Sequence, residues 1–160
     1  MITQQILKEN LHYEPETGIF TRLKSLGNAV KIGDVAGYDA SNGYRFIEVC
    51  GKRYLAHRLA WLWMTAQWPR EEIDHINLSK ADNRWSNLRE ATRSQNAAHR
   101  KAQANNTHGW KGVSWHRKTQ KWRAIIRGRN LGYFDCPATA HFTYLIAADR
   151  AFGVFARNVW

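Results

Sequence analysis

The chain has 160 residues, 44% of them hydrophobic and 23% charged, which is typical of a globular protein and excludes a disordered tail or a fibre. The excess of Lys and Arg gives a formal net charge of +11, which favours a polyanionic partner such as nucleic acid or an anionic membrane surface over charge kept for solubility. Cys50 and Cys136 have no ligand spacing, so we expect reduced thiols and neither a disulfide framework nor a thiolate zinc site. We expect a cytoplasmic protein without a membrane partner, because the amino terminus lacks a signal-peptide pattern and no apolar stretch would span a bilayer.

The positive charge is concentrated near the carboxy terminus. Residues 1–99 hold 13 basic and 11 acidic side chains, whereas residues 100–160 hold 11 basic and 2 acidic ones. Residues 102–108 are polar and show no hydrophobic periodicity, which is typical of a linker. We therefore expect two domains, residues 1–101 and 109–160, and we expect the second to supply most of the attraction for a polyanion.

The first predicted elements are strands. Alternating apolar and polar residues predict strands at 18–24, 43–50 and 52–56, with the last two joined by a tight turn. These strands would form a small antiparallel sheet at the amino terminus. Residues 57–67 are rich in Leu, Trp and Ala and predict a buried helix stopped by the proline that follows. His57 opens this helix, and we expect it to pack or to support a phosphate rather than to catalyse.

The middle of the chain predicts a strand, a loop, a second strand and a helix. Residues 73–77 and 85–89 are the predicted strands around a polar loop, and residues 91–101 have the composition of an exposed helix. The four parts together would form one compact unit of supersecondary structure.

The carboxy-terminal domain predicts three strands followed by one helix. The strands are expected at 112–116, 122–127 and 131–134. The helix is expected at 138–152, because Pro137 suits a first helical position and a glycine lies just beyond the end. The predicted fold class of the whole chain is α+β.

Residues suited to phosphodiester hydrolysis lie on the two predicted middle strands and on the helix that follows them. His75 has the ordinary pKa of about 6.5 that suits a base acting on water near neutral pH. Asp74 and Asn96 offer the carboxylate and amide oxygens that Mg²⁺ or another hard divalent ion accepts. Asn87 could hold the second ring nitrogen of His75 and so fix its tautomer.

The same residues have a structural alternative. An Asp-His pair before Asn also occurs in capping loops, and Asn87 and Asn96 could be a turn residue and a solvated helix residue. Neighbouring residues on a regular strand point to opposite faces, so Asp74 and His75 converge on one phosphate only if the strand ends or bends there.

Four ordered motifs resemble the HNH endonucleases. The motifs are L-A-H-R-L-A-W from Leu55, I-D-H-I-N from Ile73, D-N-R-W-S-N-L-R from Asp82 and S-Q-N from Ser94. The resemblance implies a ββα-metal core at about 70–101, in a family common among bacteriophage and intron-encoded homing enzymes.

The resemblance to HNH enzymes also implies a role for each site residue. His75 would be the general base, Asp74 and Asn96 would hold one divalent metal ion, and Asn87 would orient His75. Asn96 stands where many relatives have His, which is typical of nicking homing enzymes and favours Mg²⁺, with Mn²⁺ as the second choice. The products would be a 3′-hydroxyl and a 5′-phosphate.

The carboxy-terminal domain is similar to the AP2 DNA-binding domain. The resemblance lies in G-V-S-W-H-R-K-T-Q-K-W-R-A-I-I-R, then L-G-Y-F-D, then a helix ending in A-F-G. It implies a three-stranded sheet in the DNA major groove. Its aromatic and cationic residues suit phosphates and guanine edges, with Trp122 equally consistent with a core position. The expected DNA-binding residues are Trp115, Arg117, Lys121, Arg123, Arg127 and Arg129.

The sequence thus predicts a metal-dependent DNA endonuclease, a site-specific nicking homing enzyme that acts as a monomer on duplex DNA. One alternative is a non-catalytic DNA-binding regulator with a decayed nuclease segment. Another is an RNA-binding protein, since a basic, aromatic domain would serve equally well there.

Overall fold

The computed structural model describes residues 2–27, 29–100, 106 and 108–156. It combines small antiparallel sheets with helices, which confirms the α+β class. The chain divides into two compact units, residues 1–92 and 93–160. The predicted linker at 102–108 lies largely outside the described residues. Within the described ranges, no helix has the length and apolar character needed to cross a membrane.

The chain begins with a short helix and a hairpin. Helix α1 spans Gln4–Asn10, and the Thr3 hydroxyl accepts a hydrogen bond from the Ile6 N–H at its start. Strands β1 (Leu11–Glu14) and β2 (Ile19–Arg22) then pair antiparallel. Only β2 was predicted, because α1 and β1 are each too short to show a clear hydrophobic period.

A second small sheet follows the hairpin. Its strands are β3 (Tyr38–Asp39), β4 (Arg45–Val49) and β5 (Lys52–Leu55), and they pair antiparallel in that order. The prediction of one amino-terminal sheet is therefore wrong, since the predicted strands divide between two sheets. Cys50 and Gly51 both have positive φ, which suits the two-residue turn that joins β4 to β5.

Helix α2 spans Ala56–Thr65, and its buried apolar residues pack into the core of the first unit. It ends because Ala66 adopts the left-handed conformation, with its N–H donating to Leu62 O at 3.0 Å. The predicted end of this helix at residue 67 is therefore two residues late. The core that α2 shares with α1 and both sheets includes Leu7, Leu11, Tyr13, Phe20, Ile47, Val49, Leu59 and Leu62.

The predicted strand, loop and strand form the last part of the first unit. Strands β6 (Glu72–His75) and β7 (Leu88–Ala91) pair antiparallel, with Asp74 opposite Arg89. The second strand begins three residues later than predicted, because Trp85–Asn87 form a turn of 3-10 helix. Asn87 therefore lies in that turn and not on a strand.

The amino-terminal hairpin supports the loop between β6 and β7. The Tyr13 hydroxyl donates to Asn83 O at 2.7 Å, and Trp85 N–H donates to Pro15 O at 2.9 Å. Gly18 has a φ of +73°, and a Cβ there would lie 2.4 Å from backbone atoms of the loop. This loop is therefore held by the hairpin that precedes it in the chain.

The second unit contains a short helix, three strands and a longer helix. Helix α3 spans Arg93–His99, and strands β8 (Val113–His116), β9 (Lys121–Ile126) and β10 (Arg129–Phe134) form an antiparallel sheet with β9 in the centre. Helix α4 spans Pro137–Phe152 and is followed by a capping glycine, as predicted. The order of three strands and then a helix is confirmed.

The turn between β9 and β10 differs from the prediction. Arg127 and Gly128 have φ values of +48° and +78°, so they form a two-residue hairpin turn. The predicted first strand residue after the turn was Leu131, but β10 already begins at Arg129. Arg127 is consequently a turn residue and not the end of a strand.

Candidate active site

His75 lies at the end of β6, where the chain leaves the extended conformation. The next residues turn at once, since Leu78 N–H donates to His75 O at 2.9 Å. This meets the condition under which Asp74 and His75 can serve one phosphate. Both residues are 4% exposed, so the site is built at the edge of the core.

Asn83 contacts the ring of His75. Its Oδ1 lies 3.5 Å from His75 Nε2, and its own Nδ2 donates to Ala81 O at 3.0 Å. That second bond fixes the orientation of the amide, so an acceptor oxygen faces Nε2. This arrangement favours the tautomer with the proton on Nε2 and with Nδ1 as the basic nitrogen. None of the described residues hydrogen-bonds to Nδ1.

Asn83 was not predicted as a site residue. It stands in the D-N-R-W-S-N-L-R motif, but no local pattern distinguishes it from Asn87, whose side chain was expected to face His75 and instead bonds to backbone groups. Asn83 is 2% exposed, and its depth depends on the hairpin that packs over the loop. That long-range contact has no local sequence signal.

Asn87 joins the two ends of the loop between β6 and β7. Its Oδ1 accepts from Asn77 N–H at 2.9 Å, and its Nδ2 donates to Asp82 O at 2.8 Å. Both partners are backbone groups. The side chain can thus influence His75 through the shape of the loop, which also carries Asn83.

Burial sets the protonation state of His75. Removal from water lowers the pKa of His75 below its ordinary 6.5, while the Asn83 contact and the charge of Asp74 act in the opposite, weaker sense. The ring is therefore neutral at pH 7. A neutral imidazole with one unprotonated nitrogen is the form that can accept a proton from water.

His57 and Tyr44 pack against the same ring. The His57 and His75 ring centroids are 5.0 Å apart with an interplanar angle of 86°, and the Tyr44 centroid is 6.1 Å from that of His75. Burial, followed by repulsion from His75 and Arg58, lowers the pKa of His57 to about 3. The expectation that His57 packs is consistent with this placement, but its partner is the candidate base itself.

Asp74 is held by an arginine across the strand pair. Arg89 Nη2 lies 2.8 Å and Nε 2.9 Å from Asp74 Oδ2. The Asp74 side chain is thus buried and fixed in direction next to His75 in the chain.

Each of the two predicted metal ligands carries an oxygen donor of the type that a hard divalent ion accepts. In the part of the chain that the structure describes, no group of three or more His, Cys, Asp and Glu residues could hold a metal. Asp74 offers a carboxylate oxygen, and Asn96, on α3 of the second unit, offers an amide oxygen. A carboxylate and an amide oxygen are the ligand types that Mg²⁺ accepts beside water and substrate phosphate.

The second unit presents one sheet face away from α4. Val113 and Ala124 pack on Ala140 of α4, so the alternate residues of β8 and β9 face the other way. The residues of that open face include Ser114, Lys121, Arg123 and Tyr133.

Arg123 occupies the middle of the open face. In the strand register, Arg123 lies opposite Ser114 of β8 on one side and opposite Tyr133 of β10 on the other. Arg123 Nε and Ser114 Oγ are both buried atoms without a hydrogen-bond partner among the described residues. Lys121, on the same face, pairs with Asp135 at 3.2 Å.

The other predicted DNA-binding residues have varied positions. Trp115 and Trp122 lie on the α4 side of the sheet with their rings 5.2 Å apart, and Trp122 packs on the core. Arg127 donates to Ser94 Oγ at 2.9 Å and lies over the ring of Phe152. Arg117 lies in the turn between β8 and β9, and Arg129 is exposed at the start of β10.

Residues 54–98 match the sequence model of the HNH endonuclease family. The matched segment runs from β5 to α3 and includes all four predicted catalytic and metal-binding residues. The match supports a nuclease of the HNH type in this segment of the chain. Neither the comparison with curated proteins nor that with solved structures finds a match.

Proposed function

We propose that this protein is a metal-dependent endonuclease that hydrolyses a phosphodiester bond in duplex DNA. The observation that carries the proposal is His75, a buried neutral imidazole at a strand end beside Asp74, with Nδ1 unengaged by the described residues. The HNH match of the same segment supports it.

His75 acts on the attacking water. Nδ1 accepts a proton from a water molecule as the water oxygen forms a bond to phosphorus and the bond between phosphorus and the 3′ oxygen breaks. The departing 3′ oxygen takes a proton from solvent, which gives a 3′-hydroxyl and a 5′-phosphate. The proton on Nε2, facing Asn83 Oδ1, keeps Nδ1 available throughout. Asn87 maintains the loop in which Asn83 is held.

Asp74 and Asn96 are the proposed metal ligands. When bound, Mg²⁺, or Mn²⁺ in its place, would neutralise charge on the phosphate and on the leaving oxygen. Arg89 contacts Asp74 Oδ2 through both Nη2 and Nε, which holds the carboxylate in one direction. The ligand role of Asn96 rests on the resemblance to HNH enzymes.

One set of catalytic residues per chain favours cleavage of one strand. We infer that the protein is a monomer on DNA and a nicking enzyme, and that it acts in the cytoplasm of the cell containing its target. The resemblance to phage and intron-encoded enzymes favours homing as the biological role.

The second unit is the proposed DNA-binding domain of AP2 type. Its open sheet face holds Arg123, with a buried Nε that lacks a partner among the described residues, beside the equally unpartnered Ser114 Oγ. Phosphate or base-edge acceptors would satisfy both groups. Arg117, Lys121 and Arg129 would extend the contact. Trp115 lies on the α4 side of the edge strand β8 and is 39% exposed, so its ring would meet DNA around that edge and not through the open face.

Replacing Arg123 with Ala is expected to weaken DNA binding and to reduce the slope of log Kd against log salt by about 1, because one phosphate contact releases about one counterion. The measurement is a binding titration at several salt concentrations. Arg127→Ala is the matched comparison, since its guanidinium already bonds to Ser94 and lies over Phe152. Arg127→Ala should lower the stability of the unit and change the salt slope less than Arg123→Ala does. Equal salt slopes for wild type and Arg123→Ala would contradict the placement of DNA on this face.

Incubation of supercoiled plasmid with the full chain and Mg²⁺, with and without EDTA, tests the proposed activity. We expect conversion to open circles only without EDTA, with 3′-hydroxyl and 5′-phosphate ends. A plasmid that is bound but stays supercoiled would favour the DNA-binding regulator. Binding of RNA in preference to duplex DNA would favour the RNA-binding alternative.

A further inference from the structure

Hydrogen bonding alone holds the His75 ring weakly. The separation of 3.5 Å between Asn83 Oδ1 and His75 Nε2 is at the long end of the hydrogen-bond range. A general base must keep its acceptor nitrogen within about 3 Å of the proton donor, so a loosely held ring would lose rate. Contacts with neighbouring side chains therefore have to limit rotation of the ring.

His57 provides a contact that can do so. It is the second residue of α2, it is 5% exposed, and its ring meets that of His75 at 5.0 Å and 86°. In this edge-to-face arrangement, rotation of one ring about its side-chain bond brings it against the other. The backbone of α2 is itself fixed by the buried Leu59 and Leu62.

We propose that His57 is a positioning residue that holds the His75 imidazole in its catalytic orientation through edge-to-face packing. This inference rests on the proposed function, because it assigns His57 a part in the same reaction. His57 acts through His75 and forms no bond to substrate.

The surroundings of His57 hold its ring in place and keep it uncharged. The Tyr44 ring lies 5.3 Å from that of His57, and Lys80 Nζ lies 4.7 Å from the centroid of Tyr44 on the outer side. Burial keeps the pKa of His57 low, at about 3, so both imidazoles are neutral at pH 7. A second positive charge therefore does not oppose the contact.

The test compares His57→Leu with His57→Phe in the full chain. Leucine keeps an apolar side chain but removes the ring, whereas phenylalanine keeps a ring that can pack edge to face. We expect the single-turnover rate at saturating DNA to fall about 10–100-fold in His57→Leu, because a small displacement of a catalytic group lowers the rate by about that factor. DNA affinity should stay within about twofold of wild type. In His57→Phe we expect the rate to stay within about fivefold of wild type.

His12→Leu is the matched control. His12 also makes an edge-to-face contact in the same unit, with Trp63 at 6.0 Å and 89°, but the described rings that contact His75 are those of Tyr44 and His57. Its rate should equal that of wild type. A folded His57→Leu protein that cleaves like wild type would overturn the proposal, and so would an equal loss in His57→Leu and His57→Phe. If His57→Leu does not fold, a loss beyond about tenfold in His57→Phe overturns the proposal, whereas a retained rate supports it.

Proton NMR of the His75 ring separates this inference from the proposed activity. Ring currents of His57 and Tyr44 should displace the His75 ring signals in the wild type, and the displacement should diminish in His57→Leu and persist in His57→Phe. The readout does not need cleavage. Unchanged His75 signals in His57→Leu would overturn the contact, whereas an inactive wild type with the expected signals would overturn only the proposed function.

Discussion

Replacing His75 with Ala is expected to slow DNA cleavage by about 10²–10⁴-fold at saturating DNA, the usual contribution of a general base. His75 is the neutral, buried imidazole whose Nδ1 is directed to no described partner. DNA affinity should stay within about twofold, because an uncharged side chain contributes little to phosphate binding. Single-turnover rates and equilibrium titrations measure the two effects separately.

The control for His75→Ala is His12→Ala. His12 is exposed and lies in the same unit, so its replacement removes an imidazole without touching the site. Circular dichroism and thermal melting establish that both variants fold. A folded His75→Ala protein that cleaves at the wild-type rate would exclude His75 from the mechanism.

Replacing Asp74 with Asn is expected to reduce cleavage by on the order of 10²–10³-fold and to raise the Mg²⁺ concentration at half-maximal rate, because a neutral amide attracts the cation less than a carboxylate. The variant also leaves Arg89 without its buried anionic partner. Lost stability would reduce the folded fraction but would not change the half-saturating concentration of Mg²⁺. A titration of rate against Mg²⁺ therefore distinguishes the two causes.

Asp39→Asn is the matched control for Asp74→Asn. Asp39 pairs with Arg45 at 3.0 Å in the same unit, but its side chain is 60% exposed. An exposed ion pair contributes about 0–1 kcal/mol, so rate and Mg²⁺ dependence should be those of wild type. An Asp74→Asn protein with unchanged Mg²⁺ dependence would exclude Asp74 as a ligand.

The elements with strong local signals were predicted best. Pro137 and the glycine after α4 marked both ends of that helix, and alternation of apolar residues located β4, β5 and β8. By contrast α1, β1 and β3 have two to seven residues each, too few to show a period. Their stability comes from packing on residues distant in sequence.

The chemistry of the candidate site could be proposed from sequence, but its supporting contacts could not. Asp74 and His75 stood out as residue types, and their strand does end at His75. Asn83 and His57 were not assigned to the site, since each reaches His75 through the packing of separate elements. The alternating pattern around Asn87 predicted a strand, whereas the residue lies in a 3-10 turn.

Arg127 illustrates the same limit in the second unit. Its charge and position in a basic, aromatic segment predicted a DNA contact. The hairpin turn instead directs the guanidinium to Ser94 and to the ring of Phe152. A charged side chain near a turn can bond either within its own unit or to DNA, and the sequence does not distinguish these two cases.

The pH dependence of the single-turnover rate is the sharpest test of His75 as the base. Burial lowers the pKa of His75 below 6.5, so the base form predominates at pH 7 and is lost as the pH falls through that lowered pKa. We therefore expect a constant rate from about pH 7 to 8.5, a fall at lower pH, and loss of this plateau in His75→Ala. A wild-type rate that rises about tenfold per pH unit from pH 7 to 8.5 would contradict the assignment, because hydroxide from solvent would then supply the nucleophile.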